Sequence, residues 1–341
     1  MIIGVLTGGG DSPGLNPTIR AVALSALSQG DQVIGFLDGW KGVQENHTVQ
    51  IDRAWAEGIF DEGGTNLGTS RTNPMRSDAT MEAVISNFRS NQLDALVAIG
   101  GDDTLSVAAE LSRRGLPVVG VPKTMDNDVP ETDYCIGFDT AVNTVTEALD
   151  KLRTTSRSHH RAIVVEVMGR DAGWVAGIGG VAGGADYILL PEVEPDLEDL
   201  YSHLEVVRQR GKSYALVVIA EGVQLAQPAE TGDAKTDAFG HVQLANKNVG
   251  ETLAGLIEGR LGWETRSVVL GHLQRGGSPS AFDRVLGTRY GAAAMDLVRR
   301  GEFGQMVTIK GWQIGSVPLA SIAGRTKTLD PQFVQTARKL L

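Results

Sequence analysis

Residues 118–128 read VVGVPKTMDND, and they indicate the class of fold more clearly than any other part of the chain. Residues 118–121 are a short apolar run, which is typical of a buried strand in a parallel sheet. The polar residues after it would then lie at the carboxyl end of that strand, where open α/β sheets bind ligands. A lysine beside several carboxylate and amide groups indicates chemistry on a charged substrate, with Mg²⁺ assisting the transfer of a charged group.

The same pattern of apolar run and polar turn occurs at other positions. Residues 96–99 lead into GGDDT at 100–104, and residues 2–6 lead into TGGGD at 7–11. A helical spacing of apolar residues follows from Ile19 to Leu27, with Asn16 predicted as its N-cap and Pro17 as its first residue. Further strands are predicted at 163–167, 187–190, 216–219, 268–270 and 306–309. Strands that alternate with helices predict an α/β fold of mainly parallel sheet flanked by helices.

The length of 341 residues allows one large α/β unit or two lobes, each with its own core. We predict two similar lobes with the active site in the cleft between them. The first would comprise residues 1–138 plus about 251–300, and the second residues 139–250 plus about 301–341. Residues 223–247 are polar and without sustained periodicity, so they are predicted to form a long surface excursion.

Composition excludes several classes of partner and site. The formal net charge of −10 argues against nucleic acid or an anionic membrane as the main partner, since both require a basic face. Cys135 is the only cysteine, so neither an intramolecular disulfide nor a cysteine-based zinc site is expected. The N-terminal residues do not resemble a signal peptide, and no apolar run is long enough to span a membrane. We therefore expect a cytoplasmic protein.

Six polar turns follow predicted strands. A single turn of this kind is weak evidence, because turns favour glycine and acidic residues in any case. Six of them at strand carboxyl ends predict a ligand site. They comprise residues 8–11, 100–104, 122–128, 168–171, 221–222 and 271–277.

The glycines at 8–10 could bind phosphate oxygens through backbone N–H groups near a helix start. The surrounding residues are not a P-loop, and Pro13 occupies the third glycine position of a dinucleotide fingerprint. A formal G-x-G-x-x-A match at 177–182 has no apolar strand just before it, and we interpret it as close helix packing.

Arginines and histidines could supply positive charge for a phosphate group. Arg170 and Arg275 are the stronger candidates, because they follow predicted strands in glycine-bearing turns. Arg153 and Arg157 are interpreted as part of a solvated face. His272 is either a ligand contact or a hydrogen-bonded core histidine, and the sequence leaves both interpretations open.

Five motifs together resemble the phosphofructokinase family. The similarity runs in order from residue 4 to about residue 296. It implies phosphorylation of fructose 6-phosphate at its 1-hydroxyl with Mg²⁺, in the first committed step of glycolysis. It also implies that the first predicted lobe binds the phosphoryl donor and the second the sugar phosphate. The motifs are GVLTGGGDSPGLN (4–16), GGDDT (100–104), PKTMDND (122–128), VEVMGR (165–170) and LGHLQRGGSP (270–279).

The resemblance implies roles for residues near the transferred phosphoryl group. Asp126 matches the general base that accepts the proton of the sugar hydroxyl. Asp102 matches the aspartate that is associated with Mg²⁺. Gly10 and Arg71 resemble contacts to the donor phosphates, and Thr124 matches a contact to the transferring phosphoryl group.

The resemblance also implies a set of sugar-phosphate contacts. Arg161 and Arg266 reach in from a neighbouring subunit in the family, so a homodimer or homotetramer is expected. The residues that match the clamp on the 6-phosphate are Arg161, Arg266, His272 and Arg275, and those that match contacts to the rest of the sugar phosphate are Met168, Gly169, Arg170 and Glu221.

Two positions bear on the identity of the phosphoryl donor. ATP-using bacterial members usually have glycine at the position of Asp103 and a small residue at that of Lys123, whereas pyrophosphate-using members resemble this chain. A carboxylate at 103 would repel the α-phosphate of a nucleotide, by roughly 4 kcal/mol for unit charges at 4 Å and an effective dielectric of 20. Lys123 could stabilise the pyrophosphate as it is split. We therefore predict pyrophosphate as the donor, with catalytic contributions from Asp103 and Lys123.

Other interpretations remain open. Asp103 could instead cap the following helix while Lys123 neutralises nearby carboxylates. The chain could be an ATP-dependent 6-phosphofructokinase. A sugar-phosphate sensor without turnover is less favoured because Asp102 and Asp126 are both present, and a nicotinamide dehydrogenase is disfavoured by the failed fingerprint.

Overall fold

The computed structural model describes residues 1–225 and 248–338, so most of the predicted surface excursion at 223–247 lies outside the described residues. The chain forms two compact units. Within the described residues, the first comprises Met1–Thr140 and Arg275–Thr326, and the second comprises 141–225, 248–274 and 327–338.

The described residues contain eleven strands and eleven α-helices. The strands are β1 (Ile2–Thr7), β2 (Gln32–Phe36), β3 (Thr48–Ile51), β4 (Ala95–Gly100), β5 (Val118–Pro122), β6 (Ala162–Val167), β7 (Tyr187–Leu189), β8 (Ala215–Ala220), β9 (Thr265–Val269), β10 (Gln305–Lys310) and β11 (Gln313–Pro318). The helices are α1 (Leu15–Leu27), α2 (Trp40–Glu45), α3 (Arg53–Gly58), α4 (Asp78–Ser90), α5 (Asp102–Arg113), α6 (Phe138–His159), α7 (Trp174–Ala182), α8 (Leu197–Gln209), α9 (Val249–Leu261), α10 (Ala281–Arg300) and α11 (Pro331–Arg338).

Each unit is built on a mainly parallel sheet, which confirms the predicted α/β class. The first unit has seven strands in the order β11-β10-β5-β4-β1-β2-β3, and only β3 and β11 pair antiparallel to their neighbours. The second unit has four parallel strands in the order β7-β8-β6-β9. β10 was predicted from the sequence, whereas β2 and the two antiparallel edge strands were not.

Hydrophobic clusters cover both faces of the seven-stranded sheet. On β4, Ala95, Val97 and Ile99 belong to a cluster with α1 and α10, whereas Leu96 and Ala98 belong to a cluster with α4 and α5. Side chains alternate between the faces of a strand, so a strand covered on both sides is apolar at every position. This explains the continuous apolar runs in the sequence.

The boundaries of the two units differ from the predicted lobes. Residues 251–274 were predicted for the first lobe but belong to the second unit, because β9 pairs with β6 in the register Ala162↔Thr265. Residues 301–326 were predicted for the second lobe but belong to the first unit, because β10 pairs with β5 in the register Gln305↔Val119. Strand pairing between distant segments sets these boundaries, and local periodicity does not report it.

The predicted start of α1 was wrong by two residues, because the helix begins at Leu15 and not at Pro17. The N-cap is Gly14 at φ 103°, a left-handed conformation that glycine adopts readily. The Asn16 side chain instead donates to the carbonyl oxygens of Glu62 and Gly63, both at 3.2 Å. Its carbonyl oxygen accepts from the Asn66 amide at 2.9 Å, so Asn16 ties α1 to the segment around residue 65.

Among the helices of the described residues, none combines the length and the apolar character that a membrane crossing requires.

Helices α1 and α10 pack closely enough that glycine is required in α10. A Cβ at Gly291 would lie 2.6 Å from the Cβ of Ala21 and 2.7 Å from the carbonyl oxygen of Thr18. We expect Gly291→Ala to lower the free energy of unfolding by about 1–3 kcal/mol through overpacking, measured by thermal or denaturant unfolding.

Gly255 in α9 provides a matched control, because a Cβ there has nothing within 4 Å. Gly255→Ala should leave the stability unchanged or raise it by up to about 1 kcal/mol through helix propensity. Equal effects of the two substitutions would contradict close packing of α1 on α10.

Candidate active site

Three polar turns meet at one edge of the seven-stranded sheet. The register pairs Thr7 with Ile99 and Gly100 with Pro122, so β1, β4 and β5 end side by side. The turns that follow these strands begin at Gly8, Gly101 and Lys123. The structure therefore brings together three of the six turns that were predicted at strand carboxyl ends.

Residues 8–11, which we call the glycine turn, lie in close contact with neighbouring side chains. A Cβ at Gly8 would lie 2.5 Å from the Thr104 hydroxyl oxygen, and one at Gly10 would lie 2.6 Å from a guanidinium nitrogen of Arg275. Arg275 also donates to the carbonyl oxygen of Asp11 at 3.0 Å. A side chain at position 8 would therefore clash with Thr104, whereas one at position 10 would displace the guanidinium of Arg275.

Lys123 is buried behind the glycine turn, with 2% of its surface exposed. Its ammonium donates to the carbonyl oxygen of Gly8 at 3.0 Å and to that of Gly10. The Lys123 side chain therefore connects the end of β5 to the end of β1. This anchoring role was not anticipated from the sequence, which predicted only a charge directed at the donor.

The charge on Lys123 is sensitive to its surroundings. Burial, followed by the positive charge of Arg275, lowers the pKa of Lys123 to about 8. The carboxylates of Asp11, Asp102 and Asp126 act in the opposite direction and favour the ammonium. Two cations and three carboxylates thus interact electrostatically around the glycine turn.

Residues 69–71, which include the predicted donor contact Arg71, also lie against this turn. Gly9 donates its N–H to the carbonyl oxygen of Ser70 at 3.1 Å, and the Thr69 hydroxyl donates to the carbonyl oxygen of Gly9 at 2.6 Å. Arg71 follows directly and is exposed. Its position next to the glycine turn is compatible with the predicted contact to donor phosphates.

Asp102 and Asp103 are the first two residues of α5. The N-cap is Gly101, which has no side chain, so the alternative in which Asp103 caps the helix is wrong. Two acidic groups in a first turn still interact favourably with the helix dipole. Asp102 is exposed and Asp103 is half-buried at the edge where the three turns meet.

The turn after β5 is shaped by Asn127. This residue has φ 54°, in the left-handed region that asparagine tolerates better than most residues. Its amide donates to the carbonyl oxygen of Asp133 at 3.1 Å, and its side-chain oxygen accepts from the Cys135 amide at 2.8 Å. The Asp126 amide donates to the Thr124 hydroxyl at 3.2 Å. These bonds hold the backbone that carries the predicted base.

Asp128 was missed as a site residue, although it stands in the quoted PKTMDND motif. Burial raises the pKa of its carboxyl to about 7, and the carboxylates of Asp126 and Asp102 raise it as well. Three carboxylates therefore create a negative electrostatic potential at this edge. The two aspartates that flank Asn127 in the sequence were the signal that could have identified Asp128 as a site residue.

The described residues contain no group of three or more His, Cys, Asp or Glu side chains arranged to hold a metal ion. Mg²⁺ is commonly held by one or two carboxylates together with phosphate oxygens and waters. A bound cation would reduce the mutual repulsion of the Asp102, Asp126 and Asp128 carboxylates. The side chains present therefore fit Mg²⁺.

The second unit gathers other predicted residues at the carboxyl edge of its sheet. Glu221 follows β8 and donates its amide to the carbonyl oxygen of Val167 at 2.9 Å. Gly169 has φ 138°, and its carbonyl oxygen accepts from the Gly222 amide at 3.1 Å. Met168, Gly169, Arg170 and Glu221 therefore lie in neighbouring turns.

Arg170 and His272 follow β6 and β9 at this edge of the sheet. Arg170 forms an ion pair with Asp171 at 2.8 Å. His272 lies in a short 3₁₀ turn after β9 and is exposed, so the core-histidine interpretation is wrong. The turn is fixed by Gln274, which is buried and whose side-chain oxygen accepts from the Met168 amide at 3.3 Å.

Arg161 and Arg266 lie at the opposite end of the same sheet. Arg161 precedes β6, and Arg266 pairs in register with Ile163. Both arginines form ion pairs with Glu264, at 3.0 and 2.7 Å. The six residues of β6 separate Arg161 from Met168 by about 20 Å at a rise of roughly 3.3 Å per residue. One chain does not bring these two groups together.

Known proteins resemble this chain over its full length. A family described as Phosphofructokinase matches residues 2–298. A protein of Dictyoglomus thermophilum named pyrophosphate–fructose 6-phosphate 1-phosphotransferase is 52% identical, with coverage of 99% of this chain and 98% of that protein. A protein of Streptomyces coelicolor named ATP-dependent 6-phosphofructokinase 2 is 47% identical, with coverage of 100% of both.

A solved structure supports the fold. The pyrophosphate-dependent phosphofructokinase from Nitrosospira multiformis matches with a TM-score of 0.84 at 22% identity, with coverage of 96% of this chain and 86% of that chain.

The raised pKa of Asp128 predicts a pH-dependent effect of its removal. The stabilisation that comes from protonating Asp128 is present below the unfolded-state pKa near 4 and is lost as the pH rises through about 7. In the absence of divalent cations, Asp128→Asn should therefore be more stable than the parent chain by up to roughly 4 kcal/mol at pH 8, and by about half as much at pH 5.5. Thermal unfolding at the two pH values measures this.

Asp94 is the control, because it is an exposed aspartate that lies outside the three turns. Asp94→Asn should change the stability by the same amount at both pH values. If Asp128→Asn behaved in that way, the repulsion among the three carboxylates would be refuted.

Proposed function

Because this chain belongs to the phosphofructokinase family, we propose that it transfers a phosphoryl group from pyrophosphate to the 1-hydroxyl of fructose 6-phosphate. The products are fructose 1,6-bisphosphate and phosphate. The reaction is expected to be reversible and to take place in the cytoplasm as a step of glycolysis.

The choice of pyrophosphate rests on the pair Asp103 and Lys123. Overall similarity does not separate the donors, since relatives named for pyrophosphate and for ATP are 52% and 47% identical to this chain. Asp103 lies between Asp102 and Thr104, and Thr104 packs on Gly8. Pyrophosphate has two phosphates, whereas a nucleotide donor adds its α-phosphate. A carboxylate at position 103 repels that third phosphate, and a glycine there would leave space for it.

Lys123 contributes to the same preference. Its ammonium is fixed by the carbonyl oxygens of Gly8 and Gly10, so its positive charge is held at the glycine turn without reorganisation. Arg275 and Arg71 add positive charge around the turn. These charges stabilise the negative charge that develops on the departing phosphate.

The reaction follows from these positions. The 1-hydroxyl oxygen of the sugar attacks the phosphorus that is transferred, and the bridging P–O bond of pyrophosphate breaks. The departing phosphate takes the electron pair of that bond. Asp126 accepts the hydroxyl proton, and Thr124 holds the transferred group by its hydroxyl.

Mg²⁺ is proposed as the cofactor, with Asp102 as its principal protein ligand and Asp126 and Asp128 nearby. The ion supplies positive charge that neutralises the pyrophosphate oxygens and the three carboxylates.

We assign the sugar phosphate to Met168, Gly169, Arg170, Glu221 and His272. Arg161 and Arg266 lie about 20 Å from Met168 along the strands, which supports the proposal that they complete the site of a neighbouring subunit. The active form is then at least a homodimer, or a homotetramer built from such dimers.

The donor preference is tested with the purified protein, Mg²⁺ and fructose 6-phosphate. We expect fructose 1,6-bisphosphate to form with pyrophosphate, and to form at least about a hundredfold more slowly with ATP at equal concentration. A repulsion of roughly 4 kcal/mol corresponds to more than a hundredfold difference in rate. Turnover with ATP alone would identify the chain as an ATP-dependent 6-phosphofructokinase.

The two specificity positions are tested by Asp103→Gly combined with Lys123→Gly. The double variant should lose kcat/KM for pyrophosphate and gain kcat/KM for ATP, since it removes the repelling carboxylate and opens space for a nucleotide. The single variants are the controls, and each should give an intermediate ratio. An unchanged donor ratio would rule out the charge and steric argument.

Shared sites are tested by mixing two inactive proteins, Asp126→Ala and Arg161→Ala. After reversible dissociation and random reassembly, half of the dimers are mixed and each contains one intact site, so about a quarter of the parental activity should return. Activity equal to the average of the separate proteins would contradict a site shared between subunits. A mixture of Asp126→Ala with Asp126→Asn is the control that cannot complement.

A further inference from the structure

Asp283 is a fully buried carboxylate in the first turn of α10 that the proposed reaction does not use. Its Oδ1 accepts from the Gly137 amide at 2.8 Å. Its Oδ2 accepts from the Thr140 amide at 2.9 Å and from the Thr140 hydroxyl at 2.5 Å. The carboxylate of one helix thus binds the N-terminal donors of another helix, α6, where the dipole favours negative charge.

The contact between the two helix starts is reinforced by Ser280, the N-cap of α10. The Ser280 amide donates to the Thr140 hydroxyl at 3.0 Å, and its hydroxyl donates to Asp139 at 2.6 Å. The Asp283 amide donates back to the Ser280 hydroxyl at 3.1 Å. We call Asp283, Ser280 and Thr140 the helix-start junction.

Residues 136–137, just before α6, connect this junction to the glycine turn and to Lys123. The Ser12 hydroxyl donates to the carbonyl oxygen of Ile136 at 3.2 Å, and the Ile136 amide donates to the carbonyl oxygen of Pro122 at 3.2 Å. A Cβ at Gly137 would lie 1.9 Å from the Ser12 hydroxyl oxygen. The residues just before α6 therefore contact Ser12 and Pro122, which adjoin the two turns that the Lys123 ammonium joins.

The segment before α10 closes a ring of contacts. Arg275 precedes α10 by a few residues and donates to the carbonyl oxygen of Asp11 in the glycine turn. The ring runs from the glycine turn to Lys123, then to residues 136–140, through Asp283 to α10, and back through Arg275. Asp283 and Ser280 join the two halves of this ring, and Asp283 is the fully buried one of the two.

We propose that Asp283 is a positioning residue that sets the geometry of the donor-binding glycine turn through the helix-start junction. This proposal rests on the proposed function for the identity of the donor. A carboxylate is required because both of its oxygens accept hydrogen bonds from α6, whereas an asparagine would turn an NH₂ group towards an N–H donor. Burial raises the pKa of Asp283 to about 6, and hydrogen bonds from Thr140 and Gly137 oppose the rise, so the carboxylate is ionised at neutral pH.

The test compares Asp283→Asn with Asp31→Asn. Asp31 is a buried carboxylate of the same unit that accepts from the N-terminal ammonium at 2.8 Å, and it precedes β2 at the amino edge of the sheet. At a temperature well below unfolding, Asp283→Asn should raise the KM for pyrophosphate about tenfold or more while the KM for fructose 6-phosphate changes less than about twofold. Asp31→Asn should lower the melting temperature without changing either KM.

Thr140→Val is the second variant, in case Asp283→Asn fails to fold. It removes one hydrogen bond to Asp283 but keeps the carboxylate and both amide donors. We expect a smaller rise of the same KM, and Thr140→Ser should restore the parental value. The proposal would be overturned if Asp283→Asn, or Thr140→Val in its place, lowered the stability but left both KM values unchanged. Asp283 would then have a purely structural role.

Amide hydrogen exchange separates this proposal from the proposed function. Exchange should accelerate in peptides that cover residues 8–14 and 122–140 of Asp283→Asn, and not in those of Asp31→Asn, whichever donor the enzyme uses. If the parental protein used only ATP, the proposed donor would be wrong and the KM for ATP would replace that for pyrophosphate as the readout. Unchanged exchange at residues 8–14 would refute the positioning role in either case.

Discussion

The hydrogen bonds from the Lys123 ammonium to the carbonyl oxygens of Gly8 and Gly10 join two strand ends of the large sheet. A buried ammonium is costly unless its donors are satisfied, so the glycine turn and β5 are held in one arrangement. Nearby carboxylates favour the charged form, whereas burial and Arg275 lower the pKa to about 8. The remaining features of the first unit's site are arranged around this buried cation.

The groups around the Lys123 ammonium are fixed in position by hydrogen bonds and close packing. The glycine turn has no space for a side chain at Gly8, and at Gly10 a side chain would displace the guanidinium of Arg275. Asn127 fixes the turn that carries the acidic side chains, and Asp283 fixes the start of α6 behind it. Phosphoryl transfer depends mainly on positioning and on charge stabilisation, which suits a rigid set of turns with opposite charges close together.

Much of the fold could be predicted from the sequence because buried parallel strands are apolar at every position. The runs that were identified as strands coincide with β1, β4, β5, β6, β7, β8 and β10 to within a residue or two, and β9 was located at its carboxyl end. Strand β2 and the edge strands β3 and β11 were missed because each is partly exposed and lacks that signal. The division into units was wrong for residues 251–274 and 301–326, because pairing with β6 and β5 is not visible in local periodicity.

The sequence by itself determined which residues stand at strand carboxyl ends, since short apolar runs followed by polar turns specify those ends locally. It therefore placed Gly10, Asp102, Lys123 and Asp126 at one edge of a sheet. Only the tertiary structure decided that Arg275 lies against Asp11, 264 positions away, and that Asp283 binds the start of α6. Such contacts depend on how helices pack over the sheet, and their energies arise from burial and hydrogen bonds that form only once distant segments have come together.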